Sequence, residues 1–350
     1  MNTLKLGDTE VGFGCPPYII AEIGSNHNGD MALCRRLIDS AAEAGANAVK
    51  FQSWTESSLI AEEEYARNVE YSDKKRHFGS LREMVNAYQF TPEQHFEAEA
   101  HCRRRKIAFC STPFSIGEVD LLEKLNVPFF KIASMDIGHL ELLRHVARKY
   151  KPVVISTGMA TLGEIERAVL TIKVEGNNQI ALLHCVSLYP PEYGMIHLRN
   201  METLRKAFDV TVGFSDHTMG IAIPLAAIAL GASIIEKHFT LDQEMAGWDH
   251  AISANPVELR AIVTEGRNVF AALGESVRTV GPAELEKRKK FRRSLVAARA
   301  LPSDHIICPQ DLEAKRPGTG IPPEETHYVI GRKLSRSVKA DQVLCWDDLQ

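Results

Sequence analysis

His217 and His238 frame the stretch TVGFSDHTMGIAIPLAAIALGASIIEKH (211–238), and each closes a short apolar run. The first run ends Ser215, Asp216, His217. A helical apolar segment (221–230) and a turn at Gly231 follow, and the second run, 233–236, closes on Lys237 and His238. Apolar run, helix, apolar run is the pattern of a βαβ unit with parallel strands. Neighbouring strands lie about 5 Å apart, so imidazoles just past two consecutive strand ends can converge on one point. A metal ion takes His nitrogens at about 2.1 Å. A lone histidine there is more often a cap than a ligand. A matched pair, with Asp216 and Glu236 alongside, points to a divalent-metal site.

The elements that must position such a pair recur along the whole chain. Short apolar runs at 18–21, 48–51, 107–110, 129–132, 152–155 and 180–184 alternate with helical stretches at 31–44, 92–105, 116–125, 139–150, 162–174 and 201–208. A last helix is expected over 256–273. With the two runs above, the apolar segments number eight. Eight βα units in about 260 residues is the pattern of a (β/α)8 TIM barrel. An open doubly wound sheet has fewer strands, and no GxGxxG follows the first run.

In a barrel the active site lies at the carboxyl ends of the strands. Those positions read Glu22; Lys50 and Gln52; Ser111 and Thr112; Lys131, Ser134 and Asp136; Ser156 and Thr157; Ser187 and Tyr189; Ser215 and His217; Glu236 and His238. Two lysines in one mouth are costly without partners, because buried ammonium groups must be neutralised. With several hydroxyls they suit a phosphate and a carboxylate, and a metal beside them suits a carbonyl oxygen. The residues therefore point to a metal-assisted reaction of a small phosphorylated acid with a carbonyl compound.

The remainder of the chain is read as accessory. Residues 53–90 form a long charged excursion, of a length that usually marks a lid or interface arm. Residues 275–291, charged and broken by Gly and Pro, are read as a linker after the barrel domain (1–274). Residues 292–350 look β-rich, with an internal echo: RALPSDHIICPQDLE and RSVKADQVLCWDDLQ. That suggests a compact, pseudo-symmetric all-β module. A net charge of −4 gives no reason to expect nucleic-acid or membrane-surface binding. No leader and no membrane span is read. Seven scattered cysteines without CxxC spacing argue against a disulfide framework or zinc ribbon and for the cytoplasm.

AEIGSNHNG, AVKFQ, FCSTPFS, FKIASMD, ISTGMA, LLHCVSLYPP, GFSDHT and IIEKHF occur in this order. Together they resemble the N-acetylneuraminate (sialic acid) synthase family, with its legionaminate and pseudaminate synthases. EAKRPGTGI resembles that family's antifreeze-like (SAF, β-clip) domain. The resemblance covers nearly the whole chain. It implies condensation of phosphoenolpyruvate with an open-chain N-acylated hexosamine and release of phosphate by C–O cleavage. By motif, Lys50, Thr112, Lys131, Ser134, Ser156 and Ser215 would hold phosphoenolpyruvate. His217 and His238 would bind Mn²⁺ or Mg²⁺, and Glu22 would position or deprotonate the attacking water. Gln52, Tyr189, Glu236 and Asp249 would contact the sugar, as would Asp136 and Ser187. Arg316 would reach the sugar's acyl group from a partner subunit, since the family is a domain-swapped homodimer. Met135-Asp136 stands where neuraminate synthases have Gly-Glu, and Ser187 where they have Asn. Both departures fall where sugar hydroxyls are expected, so the reaction is better specified than the sugar.

Three other readings remain open on sequence. A 3-deoxy-octulosonate-type synthase would use a phosphorylated aldose and need an Arg-rich second phosphate pocket, toward which the long excursion offers Arg67, Lys74, Lys75 and Arg76, a charge run more often found on a solvated face. A Schiff-base aldolase would use Lys131 or Lys50 without metal. A non-catalytic carbohydrate-binding protein would not need the histidines and lysines to be intact.

Overall fold

The structure is a computed structural model that describes residues 3–73, 76, 77 and 79–350. Lys74 and Lys75 of the basic run lie outside the described residues. The chain divides into two compact units, Met1–Gly274 and Glu275–Gln350.

Eight parallel strands form the first unit: β1 (Tyr18–Gly24), β2 (Ala48–Ser53), β3 (Ala108–Pro113), β4 (Phe130–Ile132), β5 (Val153–Ser156), β6 (Ile180–Cys185), β7 (Thr211–Asp216) and β8 (Ile234–His238). They run in the order β3-β2-β1-β8-β7-β6-β5-β4, and β3 and β4 lie side by side at the seam. This is a near-closed (β/α)8 barrel. Helices α1 (Met31–Ala44), α2 (Pro92–Arg105), α3 (Ile116–Lys124), α4 (Leu140–Ala147), α5 (Leu162–Val174), α6 (Asn200–Phe208), α7 (Ala222–Ala229) and α8 (Pro256–Leu273) surround it.

Local chemistry sets these boundaries. Asp30 accepts the Ala32 N–H at the start of α1, and Gly45 ends the helix at φ 88°. Thr161 and Glu164 form a capping box at the head of α5, and Asn255 caps α8 ahead of Pro256. Helix α4 is shorter than the apolar pattern suggests, because Tyr150 turns out at φ 53°.

Because side chains alternate along a strand, the barrel has two apolar layers. Tyr18, Ile20, Cys110, Phe129, Leu183 and Ile234 fill its interior. Ile19, Val49, Phe109, Ile155 and Ile235 face the helices. A short hairpin, Leu4–Leu6 against Thr9–Val11, adds Leu4, Leu6 and Val11 to the inner layer. It escaped the sequence pattern because three-residue strands carry too little periodicity.

Helices Glu56–Leu59, Glu62–Arg67 and Leu81–Tyr88 share a small core of Trp54, Tyr65, Leu81, Met84 and Val85, with Phe114 and Trp248 packed against it. Ser58 Oγ donates to Glu118 Oε1 of α3 at 2.6 Å. Among the described residues no helix is long and apolar enough to cross a membrane.

In the second unit, the stretch expected as a linker contains helix α9 (Pro282–Phe291). Pro282 pre-sets its first turn, and the Gly318 N–H donates to Lys289 O at 2.9 Å. Among the described residues the β content is one two-stranded ladder, Ser294–Ala297 with Leu312–Lys315, plus isolated bridges. The expected all-β texture is thus mostly turns.

The internal echo is structural. Asp311 accepts from Arg299 and from the Cys308 N–H, and Asp348 accepts from Arg336 and the Cys345 N–H at the same spacing. The equivalent residues Leu301 and Val338 exchange both backbone hydrogen bonds at 2.9 Å, as expected on a pseudo-twofold axis. Asp311 has one partner more, His305 Nε2 at 2.7 Å. Burial raises the Asp311 carboxyl, but hydrogen bonds from Cys308, His305 and Arg299 outweigh it and hold it well below the usual carboxylate range. Its stabilising contribution is present above the ordinary carboxylate pKa and is lost as pH falls below that value. Asp311→Ala is expected to destabilise this unit by about 1–3 kcal/mol, and by more than Asp348→Ala, in thermal melts of the full chain.

Candidate active site

Period-2 alternation and sheet register together build the site. On β8, Glu236 and His238 point into the barrel mouth and Lys237 points away. On β7 and just beyond it, Ser215 and His217 point in and Asp216 points away. Ser215 is the register partner of Glu236, and its Oγ donates to Glu236 Oε1 at 3.1 Å. Glu22 on β1 is the register partner of Lys50 on β2, and the two pair at 3.0 Å. Gln52 stands across from Thr112. A bulge in β1 after Glu22, with Gly24 at φ 53°, places the Gln52 amide 2.8 Å from Glu22 Oε1.

These residues line a cavity of about 240 Å³ at the carboxyl end of the barrel. Its floor is charged and buried. Lys50 also donates to Thr112 Oγ1 at 3.2 Å, and Lys131 donates to Ser156 Oγ at 2.7 Å. Both ammonium groups face the same atom, Glu236 Oε1, at 3.7 and 3.6 Å. The lysines are therefore not uncompensated, as the sequence argument assumed, but share two carboxylates. Burial raises Glu22 to about 7 in spite of Lys50. Burial also works to raise Glu236, yet Lys131 and Lys50 pull it down to about 2. The floor thus holds one firm carboxylate and one carboxyl poised near neutrality. Lys131 is lowered, by burial first. Glu236 Oε2 is buried without a hydrogen-bond partner among the described residues.

The imidazoles of His217 and His238 lie 5.3 Å apart between ring centroids, with the Tyr189 ring 4.1 Å from His217. His217 Nδ1 lies 2.9 Å from the Val186 carbonyl, which fixes Nδ1 as the protonated nitrogen and leaves Nε2 with its lone pair. His238 Nδ1 lies 3.8 Å from Asp249 Oδ2. Among the described residues no group of three or more His, Cys, Asp or Glu side chains is placed to hold a metal ion. The two imidazoles by themselves, 5.3 Å apart between centroids, fit an open metal position whose remaining ligands are water or substrate.

Of the expected site residues, Glu22, Lys50, Gln52, Thr112, Lys131, Ser134, Ser156, Ser187, Tyr189, Ser215, His217, Glu236 and His238 come together around the cavity. Asp136 and Asp249 do not line it. Asp136 ends the turn Ser134–Asp136, where burial chiefly raises its carboxyl to about 6. Arg316 lies in the second unit with its guanidinium 5.1 Å from the Phe291 ring centroid. Glu236, expected as a sugar contact, stands among the lysines, with Oε1 3.7 and 3.6 Å from the two ammonium groups. Asp216 is no ligand neighbour of the histidines, because alternation turns it outward to Lys237.

Several contributors escaped the sequence reading. Phe114, Met159 and Cys185 line the cavity. The Cys185 Sγ lies 4.0 Å from His217 Nδ1. The segment SNHNGD (25–30) is a clasp: Asn26 donates to Phe239 O and Ser253 Oγ, both at 2.9 Å, and Asn28 donates to Ala246 O at 2.8 Å. Two amides within a turn were the available signal. Gly158 is a further one. A Cβ there would stand 2.2 Å from Ser187 Oγ and 2.9 Å from Ser134 Oγ. Gly158→Ala is expected to displace both serines and raise KM for the bound acid about tenfold, for a loss near 1.4 kcal/mol, in steady-state assays.

The NeuB family model matches residues 37–278, and the SAF domain model matches 292–350. This chain belongs to the NeuB family. It is 39% identical to the N,N'-diacetyllegionaminic acid synthase of Campylobacter jejuni, over 93% of this chain and 98% of that protein. It is 35% identical to the pseudaminic acid synthase of Helicobacter pylori, over 96% and 98% of the two. The crystal structure of N-acetylneuraminic acid synthetase from Leptospira borgpetersenii, in complex with citrate, superposes with a TM-score of 0.74 at 36% identity, covering 82% of this chain and 95% of that one. The NeuB-family match spans most of the barrel, including every strand from β2 to β8.

Proposed function

We propose that this NeuB-family barrel is a nonulosonate synthase that condenses phosphoenolpyruvate with an open-chain N-acylated hexosamine. The observation that carries this reading is the convergence of Lys50 and Lys131 on one carboxylate oxygen, in the cavity that also carries the paired imidazoles. Phosphoenolpyruvate brings its own carboxylate and phosphate to that floor. Its anionic oxygens take up the ammonium N–H groups and the hydroxyls of Thr112, Ser134, Ser156 and Ser215. Its C3 bonds to the aldehyde carbon, whose oxygen becomes a hydroxyl. Water adds to C2, the C2–O bond breaks and inorganic phosphate leaves. Glu22, held by Lys50 and Gln52 and poised near 7, takes the proton of that water. A divalent ion, Mn²⁺ or Mg²⁺, held on His217 and His238 would polarise the aldehyde oxygen when bound. Tyr189 and Gln52 contact the acceptor.

Resemblance to doubly acetylated nonulosonate synthases supports an acceptor of that type, and Met135, Asp136 and Ser187 are the positions where it would be read. The homodimer, the approach of Arg316 to the partner's acceptor and a cytoplasmic location belong to the same proposal. The octulosonate alternative needs arginine for a second phosphate, and among the described residues no arginine lines the cavity. The aldolase alternative, though burial lowers Lys131 as it requires, leaves the paired imidazoles of His217 and His238 without a task.

The deciding experiment is phosphate release from phosphoenolpyruvate, with Mn²⁺ or after chelation, across free N-acylated hexosamines and phosphorylated aldoses. Metal-dependent release with one free hexosamine is expected. Release only with a phosphorylated aldose would overturn the acceptor class, and no release from folded, metal-loaded protein would overturn the synthase.

A further inference from the structure

On the outer side of the barrel wall, behind the two histidines, lies a charged pair that the proposed reaction does not touch. Asp216 and Lys237 are each 1% exposed, and Lys237 Nζ donates to Asp216 Oδ2 at 2.7 Å. Lys237 Nζ also donates to the Thr218 carbonyl, and Asp216 Oδ1 accepts the Thr218 N–H at 2.9 Å. Thr218, the residue after His217, is thereby held at both of its backbone polar groups.

The register shows what this bracket replaces. The β7–β8 ladder pairs Phe214 with Ile235, Ser215 with Glu236 and Asp216 with Lys237, and ends there. His238 keeps a rung on its other side, to Glu22 of β1. His217 lies past the last rung, with no ladder partner among the described residues. Backbone pairing that fixes every other inward residue of β7 therefore stops one position short of the imidazole that matters most.

We infer that the Asp216–Lys237 pair is a positioning device that stands in for the missing rung and sets the spacing and tilt of the His217 and His238 imidazoles. The inference rests on the two-histidine reading above and gives Asp216 and Lys237 the role of tuning divalent-ion affinity without touching ion or substrate. Stability alone is a poor reason for such a pair, since well-packed apolar residues of similar volume serve a buried site as well or better. Here the pair sits between Ser215 and His217 on one side and Glu236 and His238 on the other, so four inward side chains hang from it.

Removing one partner strands a buried charge and endangers folding. The test is therefore the double apolar variant Asp216→Leu/Lys237→Met, compared with the wild type by thermal melting, Mn²⁺ calorimetry and the nuclear Overhauser cross-peak between the two imidazoles. A folded variant is expected to lose the cross-peak and bind Mn²⁺ about 10–100-fold more weakly, the range for residues that orient metal ligands. KM for phosphoenolpyruvate is expected to change less than Mn²⁺ affinity, since Ser215 and Glu236 keep their ladder rungs and Lys50 and Lys131 lie on other strands. A folded variant with cross-peak and affinity unchanged would overturn the inference. If wild-type protein binds no Mn²⁺, the metal reading alone falls, and the cross-peak still decides the positioning role. Should the double variant not fold, Lys237→Arg, which keeps both charges, is read by the same two measurements with the same criteria.

Discussion

Lys131→Met is expected to lower kcat/KM for phosphoenolpyruvate by roughly 10³-fold, a loss of about 4 kcal/mol. Lys131 is 2% exposed, and its ammonium bridges Ser156 Oγ and Glu236 Oε1. Methionine keeps the length and the packing but deletes the charge, so the change reads electrostatics and not a cavity. It leaves Glu236 with Lys50 alone, and the buried carboxylate then faces the incoming anion with half its compensation gone. The fold should survive, because Lys50, Ser215 and the β7–β8 register still hold Glu236 in place. A melt close to wild type with activity lost would locate the effect in binding and chemistry. Activity within tenfold of wild type would remove Lys131 from the site.

Glu22→Gln is the second large effect. A general base of this kind contributes about 10²–10⁴-fold, so kcat is expected to fall by that factor while KM for phosphoenolpyruvate changes little. The sign of the pH dependence follows from the carboxyl's position near 7. As a base it works deprotonated, so wild-type kcat/KM should rise as pH increases through about 7 and level off above it. The glutamine variant should lose that limb. Stability moves the other way. A carboxyl raised in the folded state contributes stability that is full below its unfolded pKa and is lost as pH rises through about 7. A kcat/KM profile flat between pH 6 and 8 in the wild type would rule out Glu22 as the titrating base.

The eight-strand alternation and the ring of polar residues after each strand were legible in the chain itself. The reason is that period-2 and period-3.6 burial patterns are local. Local order also placed His217 and His238 on consecutive strand ends. What local order could not give is register. Only the tertiary structure decided that Ser215 faces Glu236, that Glu22 faces Lys50, and that a bulge after Glu22 brings in Gln52. It decided that Asp216, written next to His217, turns outward to Lys237, because the pleat reverses direction at every residue. It decided that the two lysines share Glu236, since that contact spans three strands far apart in sequence. Residue types after strand ends name the groups available for chemistry; the stagger of the closed sheet determines which of them meet.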